Sequence, residues 1–406
     1  MHKILFIDHT AQLSGGELSM LSLIRQLDRS RFDPQVLLFS TGPLADALRQ
    51  ENITVHQLEL DPAINQATRH AAGRAAALHP KRVLATFTFL RRLAKTIRQI
   101  QPDIVHTNSL KADLLGGIAA RRAGTKVIWH VRDRIAPDYL APHMVRLMRF
   151  MARRIPHAVI ANSHATLATV HLRPGSRSAV IYSGLPDPQA QPPPEHIAKP
   201  AGQTVIMVGR LSPWKGQDVF IRAAAAVHRH LPHVQFQIVG SALFGEDAYE
   251  AQLLQLVQSL HLQDVISFLG FRRDIPQLVA AADVLVHAST TPEPFGQVVV
   301  QAMAAGRPAI ATNAGGIQEI VLDQRTGLLV PMADADAMAS AMIQLLSHPE
   351  QAAAMGRAGR RRFLEMFTIQ RTAAQVTALY DSMLTGADRQ LGLATESTEA
   401  ESKTGY

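Results

Sequence analysis

The sequence predicts an α/β protein built from two doubly wound parallel sheets that face each other across a cleft. Short apolar runs alternate with longer helical stretches along most of the 406 residues, a pattern typical of consecutive strand–helix–strand units. The alternation stops once, in a proline-rich segment between Pro186 and Pro200, and then resumes. Such proline density cannot continue a sheet or a helix, so we interpret it as a linker between two domains.

The first domain is expected over residues 1–185, the linker over 186–201 and the second domain over 202–365. Strands of the first domain are predicted at Ile4–Ile7, Val36–Phe39, Ile104–Val105, Val127–Val131, Val159–Ala161 and Val180–Tyr182. Strands of the second are predicted at Val205–Val208, Phe236–Val239, Ile266–Leu269, Val284–Val286, Ala309–Ala311 and Leu328–Val330. A helix over 366–384 is expected to pack back toward the first domain, and the polar tail over 385–406 is expected to be disordered.

Composition limits the class of protein. With 47% hydrophobic residues, the chain can bury two cores of ordinary domain size. The absence of cysteine excludes disulfides and thiolate metal sites and is consistent with a reducing compartment. The first residues are interpreted as a strand rather than a secretory signal, because they lack a long apolar region and a cleavage site. No apolar run approaches the length of a membrane-spanning helix.

Positive charge is concentrated in the first half of the chain. Residues 1–200 hold 26 Lys and Arg against 14 Asp and Glu, whereas residues 201–406 hold 15 against 19. This asymmetry suggests an anionic partner, either a membrane surface or an acidic acceptor. Two stretches there, His79–Gln101 and His143–Ile155, are amphipathic and basic. Either they pack on the core with a charged face in solvent, or they dock on an anionic leaflet, and the sequence leaves both readings open.

The most informative segment is the run 291–308, Thr-Pro-Glu-Pro-Phe-Gly-Gln-Val-Val-Val-Gln-Ala-Met-Ala-Ala-Gly-Arg-Pro. A predicted strand ends in a loop that carries the Glu293 carboxylate, and Gly296 then begins a helix. The first amides of a helix lack internal partners and carry a partial positive charge, which suits a phosphorylated, polyhydroxylated ligand. Gln297 and Gln301 are four residues apart, so their side chains lie on the same helix face and point back toward the helix N-terminus.

This segment resembles the signature of the retaining glycosyltransferases of the GT-B fold, specifically family 4, also called group 1. The signature is a Glu, seven residues and a second Glu, built around Glu-Pro-Phe-Gly; Gln301 replaces the second Glu. The resemblance implies that Glu293 and the amides of Phe295 and Gly296 hold the donor sugar, and that Gln297 and Gln301 belong to the donor site. In relatives the second Glu binds ribose, so we expect the uncharged amide to weaken donor binding by about 1 kcal/mol.

Arg210 and Lys215 lie on a loop that follows a predicted strand and is kinked by Pro213. Most basic loops are solvent-exposed and bind no ligand, but two cations at this spacing can bind on either side of a diphosphate. The loop resembles the family's Gly-Arg-x4-Lys-Gly pattern, which implies that both cations neutralise the leaving nucleoside diphosphate without a metal. The turn at Phe271 and Arg272 resembles the one that packs on the nucleobase in the family.

Gly15 and Gly16 follow the first strand within Leu-Ser-Gly-Gly-Glu. Glycines there let a ligand approach the backbone amides closely, although a simple strand-to-helix turn would look the same. The segment does not match the Gly-x-Gly-x-x-Gly pattern, which argues against an NAD site. A similar turn in the family lies against the donor phosphate and sugar, so the resemblance implies this role for both glycines. Glu17 either contributes to the same donor contact or caps the N-terminus of its own helix.

Two histidine-bearing segments end predicted strands of the first sheet, Val-His-Thr-Asn-Ser and Trp-His-Val-Arg-Asp. A histidine at a strand end is more often structural than catalytic, but both segments face the cleft. The resemblance implies that His130 lies near the anomeric carbon and the donor phosphate. Asn108 and Arg132 are candidates for contacts with the acceptor or the sugar.

These resemblances imply an enzyme that moves a sugar from a nucleotide-sugar donor, bound by the second domain, to a hydroxyl acceptor, bound by the first domain, with retention of anomeric configuration. Its catalytic residues are expected to be His130, Glu293, Arg210 and Lys215, with no metal and no cofactor. We expect a glycan or lipid-linked acceptor, a product in cell-surface glycan, lipopolysaccharide or glycolipid synthesis, and no nucleic-acid partner. The expected location is the cytoplasm, with an anionic membrane surface on the inner face as a candidate peripheral site. A GT-B nucleotide-sugar epimerase and a non-catalytic nucleotide-sugar-binding protein are the alternatives.

Overall fold

The computed structural model describes residues 1–61, 80–190, 202–242 and 246–386 of the chain. Two parallel sheets, each covered by helices on both faces, form its framework. This arrangement confirms the predicted pair of doubly wound α/β units. Most of the predicted linker and all but two residues of the predicted tail lie outside the described residues.

The first sheet has seven parallel strands: β1 (His2–Asp8), β2 (Phe32–Leu38), β3 (Thr54–Gln57), β4 (Ile104–Thr107), β5 (Lys126–Val131), β6 (Ala158–Ala161) and β7 (Ser178–Val180). They lie in the order β3–β2–β1–β4–β5–β6–β7. The order reverses between β1 and β4, where Ile4 is aligned with Ile104. A crevice opens beyond the carboxyl ends of two strands at such a reversal, and ligands bind there.

The second sheet has six parallel strands: β8 (Thr204–Val208), β9 (Gln235–Val239), β10 (Ile266–Phe268), β11 (Val284–His287), β12 (Ala309–Thr312) and β13 (Gly327–Val330). Their order is β10–β9–β8–β11–β12–β13. Here the reversal lies between β8 and β11. The loops that leave these two strands are the ones that carry Lys215 and Glu293, so the strand order itself brings the two loops together.

Helices connect the strands in both units. The first unit contains α1 (Gly15–Gln26), α2 (Pro43–Gln50), α3 (Pro80–Ile100), α4 (Leu110–Ala123), α5 (Pro142–Ala152) and α6 (His164–Val170). The second contains a 3₁₀ turn (Pro213–Lys215), then α7 (Gln217–His230), α8 (Asp247–Ser259), α9 (Ile275–Ala281), α10 (Gln297–Ala304), α11 (Ile317–Ile320), α12 (Ala335–Ser347), α13 (Pro349–Met366) and α14 (Ile369–Thr385).

The first sheet differs from the sequence prediction by one additional strand and by the bounds of others; β2, for example, begins at Phe32 rather than Val36. The edge strand β3 was not predicted, because Thr54–Gln57 contains one aliphatic residue and leaves both faces partly in solvent. The last strand, β7, ends at Val180 rather than Tyr182. Ile181 still donates its amide to Ala161, but Tyr182 has already left the sheet and turns toward the second unit.

The two basic amphipathic stretches form helices α3 and α5. His79 lies outside the described residues, and α5 ends at Ala152, before the predicted limit at Ile155. Both helices bury an apolar face in the same core on one side of the first sheet. Within the described ranges, no helix combines the length and the hydropathy needed to cross a bilayer.

The last helix, α14, packs on the first sheet although it follows the second in sequence. Its buried residues share one hydrophobic core with the strands of the first sheet, among them Ile369, Val376, Leu379 and Tyr380. The crossing is fixed by backbone hydrogen bonds, from Leu185 to Phe367 at 2.9 Å and from Ile369 to Leu185 at 2.9 Å. The chain therefore crosses between the two units twice, once near residue 185 and once near residue 367.

Candidate active site

The Glu293 carboxylate lies at the centre of the crevice beyond β8 and β11. Lys215 donates from Nζ to its two oxygens at 2.9 and 3.1 Å, and Ser289 donates from Oγ at 2.9 Å. The Nε2 atom of His287 lies 3.2 Å away and must donate, since a carboxylate only accepts. Burial alone raises the pKa of Glu293, but the Lys215 charge and the His287 hydrogen bond outweigh it and hold that pKa well below its ordinary range. Glu293 is therefore an ionised acceptor.

The backbone of the loop after Glu293 requires glycine at one position. Gly296 has a φ of +113°, and a methyl group there would lie 2.3 Å from Ile317 Cδ1. Glycine is therefore required at the start of α10. Phe295 is buried, and its ring stacks on Tyr182 with centroids 5.9 Å apart. The amide-rich turn predicted from the sequence is thus held rigidly at the mouth of the crevice.

The two predicted cations have different partners. Lys215 ends the 3₁₀ turn with its Nζ 4.2 Å from the centre of the Trp214 ring, beside Glu293. Arg210 instead lies near Glu246, with 3.6 Å between Nε and Oε2. Both side chains are partly exposed. The structure therefore brings Lys215 and Glu293 into direct contact, a pairing that the sequence did not predict.

The glycine turn of the first unit meets the second unit at the start of α10. A methyl group placed on Gly15 would lie 3.0 Å from Gln297 Oε1, and one on Gly16 would lie 3.5 Å from Arg132 Cδ. The backbone at Gly15 therefore lies close to the Gln297 side chain of the second unit. Gly15 faces the second unit and Gly16 faces Arg132 of its own unit, and the predicted role of both glycines at the donor stays a prediction.

Asn108 and Arg132 form one polar network behind the glycine turn. Asn108 accepts from Arg132 Nε at 2.7 Å and donates from Nδ2 to Asp8 at 2.7 Å and to the Gly16 carbonyl at 3.2 Å. Arg132 also donates from Nη1 to Ser183 at 2.9 Å. Burial lowers the pKa of Arg132 to about 10, so the guanidinium stays charged at neutral pH.

His130 lies in the core of the first sheet, at the end of a buried chain of hydrogen bonds. Its Nδ1 is 3.0 Å from His106 Nε2, and His106 Nδ1 is 2.6 Å from the Tyr380 hydroxyl. Burial, reinforced by the Arg132 charge, lowers the pKa of both histidines, that of His106 to about 3. Both rings are therefore neutral, and among the described residues His130 Nε2 has no hydrogen-bond partner. The predicted role of His130 at the anomeric carbon stays a prediction.

Gln301, Phe271 and Arg272, which were predicted to bind the donor, make no described hydrogen bond to Glu293 or Lys215. The Oε1 atom of Gln301 is buried and finds no hydrogen-bond partner in the described part of the chain. The Phe271 ring is 60% exposed, and Arg272 is paired with Asp274 at 2.8 and 2.5 Å. None of the contacts described here joins the Phe271 turn to the Glu293 loop.

Several polar residues of the crevice were not predicted from the sequence. His287 and Ser289 bind Glu293, and Asp8 binds Asn108 and Ser109. The available signal was a polar residue at the carboxyl end of an apolar strand, which describes His287 and Asp8. Their partners could not be inferred, because they come from separate loops.

Comparison with known proteins gives the class of this site. The family model for group 1 glycosyl transferases matches residues 193–362, and the model for glycosyltransferase family 4 matches residues 13–187. The chain belongs to this family, its two sheets form the GT-B fold, and it is a glycosyltransferase.

Particular relatives illustrate the range of the family. The chain is 31% identical over 245 residues to the lipopolysaccharide core biosynthesis mannosyltransferase LpsB of Rhizobium meliloti, covering 58% of this chain and 68% of LpsB. It is 34% identical over 183 residues to a GDP-mannose-dependent phosphatidylinositol monomannoside mannosyltransferase of Mycolicibacterium smegmatis, covering 43% and 47%. The structure of Anabaena HepE, solved with UDP-glucose, is 30% identical with a TM-score of 0.81, covering 94% of this chain and 100% of HepE.

We expect Glu17 to make the stability of the first unit depend on pH. Burial and the nearby Asp8 charge raise the pKa of Glu17 from 4.5 to about 7. The folded state thus binds a proton that the unfolded state releases, so stability falls as pH rises from about 4.5 to 7. We predict that Glu17→Gln removes a penalty of up to about 3 kcal/mol above that range.

Thermal unfolding between pH 4 and pH 8 measures this penalty. Glu17→Gln should melt higher than the parent at pH 8, with the difference shrinking toward pH 4. Glu59→Gln, the same change at an exposed glutamate, is the control and should follow the parent throughout. Parallel curves for the parent and Glu17→Gln would show that Glu17 carries no such penalty.

Proposed function

We propose that this chain is a retaining glycosyltransferase that moves a sugar from a nucleoside diphosphate to a hydroxyl of a glycan or lipid-linked acceptor. One observation carries the proposal: the Glu293 carboxylate, the Lys215 ammonium and the first amides of α10 meet at the crevice of the second sheet, opposite Gly15. The UDP-glucose complex of HepE supports a nucleotide-sugar donor. Because the Mycolicibacterium relative depends on GDP-mannose, the proposal specifies neither the base nor the sugar of the donor.

Electrostatic stabilisation of the leaving diphosphate is the main catalytic effect. As the bond between the anomeric carbon and the phosphate oxygen breaks, negative charge grows on the diphosphate, and Lys215, Arg210 and the amides at the start of α10 offset it. Glu293, held ionised by Lys215 and His287, accepts hydrogen bonds from the sugar hydroxyls. The acceptor oxygen attacks from the side that the diphosphate leaves, and its proton passes to the departing phosphate oxygen. Protein charges would thus perform this step without a metal.

Gln301 provides the remaining donor contact. Its Oε1 is a buried acceptor without a partner among the described residues, and a buried unpaired oxygen is costly unless a ligand satisfies it. A ribose hydroxyl of the donor is a suitable partner. The amide that replaces the family's second glutamate would thus itself bind the donor.

The first unit is proposed to dock on an anionic membrane surface through α3 and α5. Both helices expose large apolar side chains on the same side of the sheet: Val83, Leu84, Phe87, Leu147 and Phe150. Arginines accompany them, with the guanidinium carbon of Arg154 3.9 Å from the centre of the Phe150 ring and that of Arg91 5.6 Å from the centre of the Phe87 ring. Apolar residues flanked by arginine are typical of surfaces that bind the lipid headgroup region. A lipid-linked acceptor would be reached from this side.

The reaction is tested with Glu293→Gln. The change removes charge-assisted hydrogen bonds worth roughly 1.5–3 kcal/mol, so we predict that kcat falls about 10- to 100-fold or more. Donors are chosen from UDP-, GDP- and ADP-sugars by thermal shift, and nucleotide release is followed with glycan and lipid acceptors. Glu350→Gln, the same change at an exposed glutamate of α13, should leave kcat unchanged. Full activity of a folded Glu293→Gln would contradict the assignment, and interconversion of sugars without release would indicate the epimerase.

Membrane docking is tested by sedimentation with vesicles of phosphatidylglycerol and phosphatidylcholine. We predict that the double change Leu84→Glu and Phe150→Glu weakens binding at least about tenfold, because two apolar contacts are lost and two like charges are added. Leu254→Glu, at a leucine of similar exposure in the second unit, is the control and should bind as the parent does. Equal binding by all three proteins would contradict docking through this surface.

A further inference from the structure

The loop that carries Glu293 is bound by two hydroxyls from the opposite unit. The Pro294 carbonyl accepts from Ser163 Oγ at 2.6 Å and from Thr166 Oγ1 at 3.0 Å. Both hydroxyls belong to the first turn of α6 in the first unit, and both residues are fully buried. The residue next to Glu293 is therefore attached to the domain that does not contain it.

A second attachment joins Glu319 of the second unit to the same helix. Glu319, in α11 of the second unit, accepts from the amides of His164 at 2.9 Å and Ala165 at 2.8 Å. These amides have no partner within α6, and a carboxylate at a helix N-terminus also meets the positive end of the helix dipole. The Tyr182 hydroxyl donates to Glu319 at 3.1 Å, and burial followed by the Glu319 charge raises the pKa of Tyr182, so it remains a donor.

Both attachments are made by the N-terminus of α6, beside the Glu293 loop. Gly316, next to α11, donates its amide to the Glu293 carbonyl at 2.8 Å. A methyl group on Gly316 would lie 2.5 Å from the Pro294 carbonyl oxygen, so the two segments are in direct backbone contact. The loop thus contacts α6, Tyr182 and the Gly316 turn. We call Ser163, Thr166, Tyr182 and Glu319 the loop clamp.

We propose that Ser163, Thr166 and Glu319 are positioning residues that orient Glu293 toward the donor sugar when the two units are together. This inference rests on the proposed function and adds a role for the first unit beyond acceptor binding. The nucleotide half of the donor is assigned to Lys215 and Gln301, and among the described residues no hydrogen bond joins either of them to a clamp residue. Loosening the clamp should therefore lower kcat while leaving nucleotide affinity nearly unchanged.

The most conservative variant is Thr166→Val, because valine has nearly the same shape as threonine and the change removes one hydrogen bond to the loop. Thr166→Ser keeps the hydroxyl and is the rescue. Thr169→Val is the matched control on the same helix, because among the described residues its hydroxyl bonds within the first unit alone, donating to the Thr166 carbonyl at 2.7 Å and accepting from the Ile135 amide at 3.0 Å. Glu319→Gln keeps its shape but loses the charge and one of the two oxygens that accept the helix amides.

Turnover and the Kd of the matching nucleoside diphosphate are measured for each protein. We expect kcat to fall about fivefold to tenfold in Thr166→Val and further in Glu319→Gln, with the Kd within twofold of the parent. Thr166→Ser and Thr169→Val should keep the parent's kcat. An unchanged kcat in both clamp variants, or an equal fall in Thr169→Val, would overturn the proposal.

Absence of turnover in the parent with every donor would count against the proposed function, and the clamp would then be judged by hydrogen exchange of residues 288–297. The clamp predicts faster exchange of this peptide in Thr166→Val and Glu319→Gln than in Thr169→Val. Equal exchange in all three variants would overturn the clamp by itself.

Discussion

The ion pair between Lys215 and Glu293 is the contact on which the site depends. Their side chains are 18% and 12% exposed, and burying either charge alone would cost several kcal/mol. The pair joins the loops after β8 and β11, which are neighbouring strands at the point where the order of the second sheet reverses. The same contact that stabilises the two loops keeps Glu293 ionised and places a cation where a diphosphate would bind.

The site belongs to both units even though its charges lie in one. The Pro294 carbonyl is bound by α6, Phe295 stacks on Tyr182, and Gly15 touches Gln297. The last helix reinforces this arrangement, because α14 leaves the second unit, packs on the first sheet and places the Tyr380 hydroxyl against His106. Residues of both units therefore build the site.

The sequence predicts what local pattern controls. Alternating apolar runs gave both sheets, and the short motifs around Lys215 and Glu293 placed both residues in loops at strand ends. It did not predict the exposed edge strand β3, which lacks an apolar run, or the end of β7. Contacts between distant segments were also missed: the bonds from His164 and Ala165 to Glu319 join residues more than 150 positions apart. Such pairings depend on how the two units meet, which no local pattern encodes.

A double-mutant cycle on Lys215 and Glu293 tests the central claim most directly. The kcat/KM for the nucleotide sugar is measured for the parent, Lys215→Met, Glu293→Gln and the double variant. If the two residues act as one unit, the double variant loses little more than the worse single variant, with a coupling energy of roughly 1–3 kcal/mol. Losses that simply multiply would show that the two residues act independently and would contradict the account.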